Sequence, residues 1–313
     1  MDILNFFPIK ISNEIGSVLK QDIKYKEIIE EIRIRINLPI ILKIGDMDYV
    51  TNYKVTREEI NQILQRICEN SLYSYQSQIA NGYITINGGH RIGIVGSAVL
   101  KNDEVINLNY ISGLNFRISR QVINCSNGII EYILNREKNS VYNTLIISPP
   151  GLGKTTLLRD IARRISNGIE IKNQIIFRGI SVTVVDERDE IAACYKGVPQ
   201  NDLGIRTDVF SDMPKFIGMK MAIRSMSPKV IVADEIGSLQ DAESIKYAVC
   251  CGVKGIFTAH GNSVEDIMIN PALSSLIKSK VFERVILIKE RKKDKYIKEI
   301  YKLDNEKEKY LEI

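Results

Sequence analysis

Leu145-Ile-Ile-Ser-Pro-Pro-Gly-Leu-Gly-Lys-Thr-Thr-Leu-Leu158 decides the fold. An apolar run meets a turn rich in Gly and Pro. Gly153-Lys154-Thr155-Thr156 follows, and then a stretch with helical apolar spacing. That order spells strand, phosphate-binding loop, helix: a Walker A motif. Small residues let backbone N–H groups close around phosphate oxygens, and the helix that follows points its positive end at the anion. Pro149, Pro150, Gly151, Leu152, Gly153, Lys154, Thr155 and Thr156 are therefore the expected nucleotide-binding residues. Lys154 is expected on the β- and γ-phosphates, and the Thr155 hydroxyl on Mg²⁺. The motif ordinarily begins with Gly, where this chain has Ser148. That change removes no ligand.

Outward from the loop, residues from Val141 alternate strand and helix, the pattern of a mostly parallel sheet with crossover helices. Strands are expected at Asn143–Ser148, Ser181–Asp186, Lys229–Asp234 and Gly255–His260, with a closing hairpin from Arg284–Lys289 to Tyr296–Leu303. Helices are expected at Thr155–Ser166, Pro214–Met226, Leu239–Cys251 and Val264–Lys278. In such sheets ligands sit at the carboxyl ends of the strands, and the polar clusters fall there. Val230-Ile-Val-Ala-Asp-Glu235 is an apolar strand ending in two acids, a Walker B motif. Asp234 is expected to hold Mg²⁺ through its water shell, and Glu235 to polarise the attacking water. Val182-Thr-Val-Val-Asp-Glu-Arg-Asp-Glu190 is a second strand ending in acids, which brings Asp186 towards the metal and Glu187 towards the water. Phe257-Thr-Ala-His-Gly-Asn262 ends the next strand, where His260 can sense a γ-phosphate. An arginine on that phosphate adds about 10³–10⁵ in rate. Arg206, Arg224, Arg117 and Arg120 compete for that role.

Residues 1–115 carry no nucleotide signature and read as a smaller α+β domain. Glu31-Ile-Arg-Ile-Arg-Ile36 alternates strictly, as a half-buried strand does. Pro39–Ile44 and Asp48–Val50 read as short strands. Thr56-Arg-Glu-Glu59 is a capping box opening a helix. Tyr83–Ile86 and Arg91–Val95 form a hairpin across Asn87-Gly-Gly89, with His90 expected as a solvated residue at its tip. A further pair of strands flanks Lys101-Asn-Asp103. Residues 116–140 are then a short inter-domain joint, and 141–313 the nucleotide-binding domain. The charged tail from Glu290 reads as a solvated hairpin edge.

Composition narrows the class. The 313 residues are 44% hydrophobic and 26% charged, with a net charge of +5; this is an ordinary globular balance that does not by itself argue for nucleic acid. Five cysteines without metal-like spacing suggest free thiols in a reducing compartment. No apolar run approaches the ~18 residues that span a bilayer. The expectation is a cytoplasmic protein that reaches a membrane only through a partner.

Walker A, acidic box, Walker B and Thr258-Ala-His-Gly-Asn262 come in the order found in the secretion and pilus-motor ATPases of type II and type IV systems, which the chain resembles. It resembles the stage III sporulation AA family more closely still. The matching stretches are Glu31–Asn37, Asn81-Gly-Tyr-Ile-Thr-Ile, Gly88–Gly96, Ile111–Arg120, Lys154–Asp160, Val185–Arg188, Gly204–Val209 and Arg224–Gly237. The resemblance implies a RecA-like core behind a separate N-terminal domain, a hexameric ATPase, and a role in endospore formation. The work implied is powering a secretion-like channel between mother cell and forespore, with a membrane protein of that channel as docking partner in the mother cell. Two departures limit the transfer. Asp234 stands where the wider family has Gly, and Gly237 where it often has Arg, so no role of that Arg carries over.

The expected activity is Mg²⁺-dependent ATP hydrolysis coupled to movement between subunits. A nucleic-acid translocase or helicase is the alternative, disfavoured by the modest charge, the lack of Trp and the lack of a basic run interleaved with aromatics. A nucleotide-switched binding module is a third, against which Glu235 argues.

Overall fold

The computed structural model describes residues 2–292, 295–304 and 309–313. The chain divides into two compact units, Met1–Arg120 and Gln121–Ile313.

In the first unit a 3-10 turn (Asp2–Phe6), α1 (Ile9–Leu19) and α2 (Tyr25–Ile28) lead into β1 (Ile29–Arg35), β2 (Pro39–Ile44) and β3 (Met47–Lys54). Then come α3 (Arg57–Ile67), α4 (Gln76–Ala80), β4 (Tyr83–Ile86), β5 (His90–Lys101) and β6 (Glu104–Arg117). The sheet runs β3-β2-β1-β6-β5-β4 and is antiparallel throughout. The alternation in β1 buries Ile32 and Ile34 and leaves Arg33 and Arg35 outside, as period-2 patterning requires. The capping box forms: Thr56 Oγ1 accepts the Glu59 N–H at 3.2 Å, and Glu59 Oε2 accepts the Thr56 N–H at 2.9 Å. His90 corrects its expectation. It is half-buried, and its Nδ1 accepts the Ser119 N–H at 3.1 Å. Burial, then the Arg120 charge, holds its pKa below the ordinary value. It braces the chain after β6 and is not a solvated tip.

The second unit opens with α5 (Ile130–Ile133) and a small ribbon, β7 (Leu134–Asn135) with β8 (Ser140–Val141). Next come β9 (Thr144–Ser148), α6 (Lys154–Asn167), β10 (Gly168–Ile171), β11 (Gln174–Arg178), β12 (Val182–Asp186) and β13 (Thr207–Ser211). The chain continues through α7 (Lys215–Ser225), β14 (Val230–Ala233), α8 (Leu239–Cys250), β15 (Lys254–His260), α9 (Val264–Met268) and α10 (Pro271–Lys278). It closes with β16 (Arg284–Lys292), β17 (Lys295–Asp304) and β18 (Lys309–Glu312). The large sheet has the order β13-β12-β14-β15-β9-β16-β17-β18; β13 to β16 are parallel and the last two strands antiparallel.

Parallel strands covered on both faces read as continuous apolar runs, and the two faces of β9 show why. Ile146 packs with Leu157, Leu158 and Ile161 of α6, while Leu145 and Ile147 pack with Met219 of α7 and Ile245 of α8. Two expectations change here. The single helix over 264–278 is broken in two, because Pro271 lacks the N–H that would continue it and Asn270 caps the new start by accepting from Ala272 and Leu273. A hairpin, β10–β11, appears that the strand–helix pattern did not announce; its turn puts Lys172 and Asn173 at φ +49 and +62. The stretch expected as a joint divides between the units. Phe116 lies in the core of the first unit, and Ile129, Ile130 and Ile133 in that of the second. The tail expected to be solvated from Glu290 is in part the edge strand β18, and its residues 293–294 and 305–308 lie outside the described residues.

Candidate functional site

Parallel pairing delivers the carboxyl ends of β9, β12, β14 and β15 to one edge of the sheet, each with a polar residue at or just past its end: Ser148, Asp186, Asp234 and His260. The loop after β9 needs glycine at two points, since Gly151 has φ +81 and Gly153 φ +82, a region other residues enter at a cost. Ser148, in place of the usual Gly, is not at positive φ; it is buried and its hydroxyl donates to Pro149 O at 2.8 Å.

Lys154 is buried, and burial lowers its pKa against the opposing pull of Asp234 and Glu235. Its ammonium meets three acceptors: Ser148 O at 3.1 Å, Pro149 O at 3.4 Å and His260 Nδ1 at 2.9 Å. An ammonium only donates, so His260 Nδ1 accepts, and the ring proton sits on Nε2. Nε2–H then donates to Glu235 Oε1 at 2.7 Å. Arg188 Nη1 donates to the other oxygen of Glu235, also at 2.7 Å. The result is a chain of donors, Lys154 to His260 to Glu235, with Arg188 closing the far side. Glu235 is held in the left-handed region at φ +52, a strained conformation typical of functional sites.

Thr155 Oγ1 donates to Asp234 Oδ2, and Thr258 Oγ1 donates to Asp234 Oδ1. Thr258 Oγ1 also accepts the Glu235 N–H at 2.8 Å. One hydroxyl therefore fixes both Walker B acids. Thr155 and Asp234 present adjacent hard oxygens, the donor type suited to Mg²⁺.

Other expected residues lie elsewhere. Asp186, expected at the metal, is turned into the protein. Its Oδ1 accepts the Glu190 N–H at 2.9 Å, and its Oδ2 accepts those of Ile191 and Ala192, both at 2.8 Å. Burial pushes its pKa up to about 6. Arg159 of α6 binds the same loop, donating to Ile191 O at 2.7 Å and Glu190 O at 2.8 Å. Asp186 thus shapes the loop that carries Glu187 and Arg188. Glu187 is paired with the buried Lys215, and both line a small cavity with Arg188, Asp234 and Glu235. Arg206 sits at the amino ends of β12 and β13, on the opposite edge of the sheet, where its guanidinium donates to Ser166 O at 2.9 Å. Arg224 is exposed in the last turn of α7, which runs back towards that same edge. Within the first unit, Arg120 donates to Ile29 O at 2.5 Å and Arg117 is exposed at the end of β6. Pattern reading missed Arg188, Lys215 and Arg159. The run of charges at Asp186–Glu190 was visible, but which of them faces Glu235 depends on the turn that Asp186 ties.

The profile of the family described as "Sporulation stage III, protein AA" matches residues 6–308. Stage III sporulation protein AA of Bacillus subtilis (strain 168) is 40% identical over 302 residues, covering 93% of this chain and 95% of that protein. The X-ray structure of the Legionella pneumophila ATPase DotB is similar with a TM-score of 0.58 at 16% identity, over 93% of this chain and 81% of that one. The pilus retraction motor PilT, crystallised with bound ADP, gives 0.60 at 14% identity, over 92% and 82%. At these identities the likeness is one of fold, the expected RecA-like ATPase fold. Among the described residues no helix is long and apolar enough to cross a membrane.

Proposed function

The chain belongs to the sporulation stage III protein AA family, and from that we propose that it is a Mg²⁺-dependent ATPase whose hydrolysis drives a sporulation channel. The observation that carries the proposal is the convergence of Lys154, His260, Glu235, Thr155 and Asp234 at one strand edge. Lys154 and the backbone N–H groups of residues 151–156 bind the phosphates. Thr155 and Asp234 would hold Mg²⁺, which when bound supplies charge neutralisation at the phosphate oxygens. Glu235 positions and deprotonates the attacking water. All three Lys154 protons face acceptors, so a phosphate that binds Lys154 competes with His260 for one of them. His260 then changes its hold on Glu235, which couples the γ-phosphate to the base. Glu187 tunes the same cavity through Lys215. Arg206 and Arg224 stand at the far edge of their own sheet and reach a nucleotide only from a neighbouring copy. This favours a ring, with a hexamer as the specific form. The chain works on the mother-cell side, cytoplasmic, against a membrane protein of the channel, with no nucleic acid required.

Steady-state ATP turnover against protein concentration, with light scattering on the same samples, tests this. Lys154→Ala should abolish nucleotide binding and turnover. Glu235→Gln should lower turnover by about 10²–10⁴ while keeping binding. Unchanged turnover in Glu235→Gln would refute the assignment of the base.

A further inference from the structure

The sheet order puts β9 and its phosphate loop between two different flanks. On one side, β15 and β14 bring His260, Asp234 and Glu235. On the other, β16 and β17 form an antiparallel pair in which Arg291 and Tyr296 face each other across the ladder. Both side chains are half-buried against the loop. Tyr296 Oη donates to Gly153 O at 3.4 Å. A Cβ built on Gly153 would lie 2.7 Å from Arg291 Nη1 and 3.4 Å from Tyr296 Oη, so guanidinium and phenol both border the Gly153 Cα. The Arg291 Cζ lies 5.4 Å from the Tyr296 ring centroid. Burial pushes the phenol up to about 12, which keeps it a neutral donor. Cys125 packs beside them and donates through Sγ to Thr156 O at 3.6 Å, lining the first turn of α6 from the same side.

These placements give the loop a direction. Lys154 and Thr155 turn towards β15 and β14, to His260 and Asp234. Gly153 is bordered from β16 and β17. A triphosphate lying over the loop with its terminal phosphate at Glu235 has its other end on the Arg291 side. We propose that Arg291 and Tyr296 form the nucleoside subsite of the nucleotide site, receiving ribose and base. This rests on the nucleotide-binding function proposed above. An arginine plane stacks on base and aromatic faces alike and carries donors for ribose oxygens. An aromatic ring offers a face that any base can use. Gly153 is small on this side as well as left-handed, since a side chain there would meet the guanidinium.

The test separates nucleoside from phosphate. Binding of Mg·ATP, Mg·ADP and Mg·tripolyphosphate is measured by calorimetry for the wild-type chain, Arg291→Ala and Tyr296→Leu, with thermal unfolding as a folding control. Arg291→Ala should weaken ATP and ADP by about tenfold and leave tripolyphosphate within about twofold of wild type. Tyr296→Leu should follow the same pattern. Equal weakening of tripolyphosphate would place the pair on the phosphates or the loop, and would overturn the nucleoside assignment. Unchanged ATP affinity in both variants would also overturn it. Failure of the wild type to bind ATP or ADP would instead remove the nucleotide-binding premise, an outcome distinct from the other two.

Discussion

Replacing Asp189 by Asn should stabilise the chain at alkaline pH and remove part of its pH dependence. Asp189 is 6% exposed, adopts φ +52, and its Oδ1 accepts the Cys194 N–H at 2.6 Å. Burial raises its pKa from 3.8 to about 7; the N–H of Cys194 opposes the shift, and the charges of Asp186 and Asp212 add to it. The sign follows from linkage. Between those two values the folded chain holds a proton that the unfolded chain has released. The associated stability is complete below the unfolded pKa and is lost as pH rises through about 7. Moving from about pH 5.5 to about pH 8.5 crosses roughly 1.5 units of that window, or about 2 kcal/mol at ~1.36 kcal/mol per unit. Asn keeps the carbonyl oxygen for Cys194, tolerates the left-handed region and carries no charge to desolvate. Asp186, raised to about 6 with the same sign, is present in both chains and largely cancels in the comparison. Urea unfolding of both chains at the two pH values, followed by circular dichroism, measures the difference. The advantage of Asp189→Asn should grow by about 2 kcal/mol at the higher pH. An equal offset at both pH values would refute the buried-charge account.

Thr258→Val should misplace both Walker B acids, because its hydroxyl donates to Asp234 and accepts from Glu235 N; a stability loss of about 1–3 kcal/mol and a drop in turnover are expected, with Thr258→Ser restoring both. Asp160 is 1% exposed and accepts from Asn124 N, Ser126 N, Ser126 Oγ and Arg163. Asp160→Ala should therefore cost about 3–5 kcal/mol in unfolding experiments, as the loss of one partner in a buried charged network does. The Arg188 side chain is 66% exposed where it meets Glu235, so the contact is worth about 0–1 kcal/mol. Arg188→Ala should accordingly change turnover by no more than about fivefold; a loss of about 10³ would show instead that Arg188 acts on the transferring phosphate.

What was legible in the sequence is what local pattern controls. Val230–Ala233 is apolar at every position because a parallel strand covered on both faces has no polar side. Gly151 and Gly153 mark the phosphate loop because the backbone there is left-handed. Lys154, Thr155, Asp234, Glu235 and His260 could be picked out because they follow apolar runs in a strand–helix alternation, and parallel topology then sends them to one edge. The sequence by itself thus determined the RecA-like core, the family, and which residues are brought together at the loop. Tertiary structure alone decided which charge faces which. Asp186 and Arg188 lie two positions apart in one acidic run, yet Asp186 is spent on three backbone N–H groups and Arg188 reaches Glu235. Arg206 was a candidate for the arginine on the γ-phosphate, but strand order puts it on the opposite edge. Arg291 and Tyr296 carry no motif and meet Gly153 only because β16 pairs beside β9. Strand pairing and loop closure are long-range events, and their outcome is set by burial and hydrogen-bond satisfaction over the whole sheet, which no local window of residues contains.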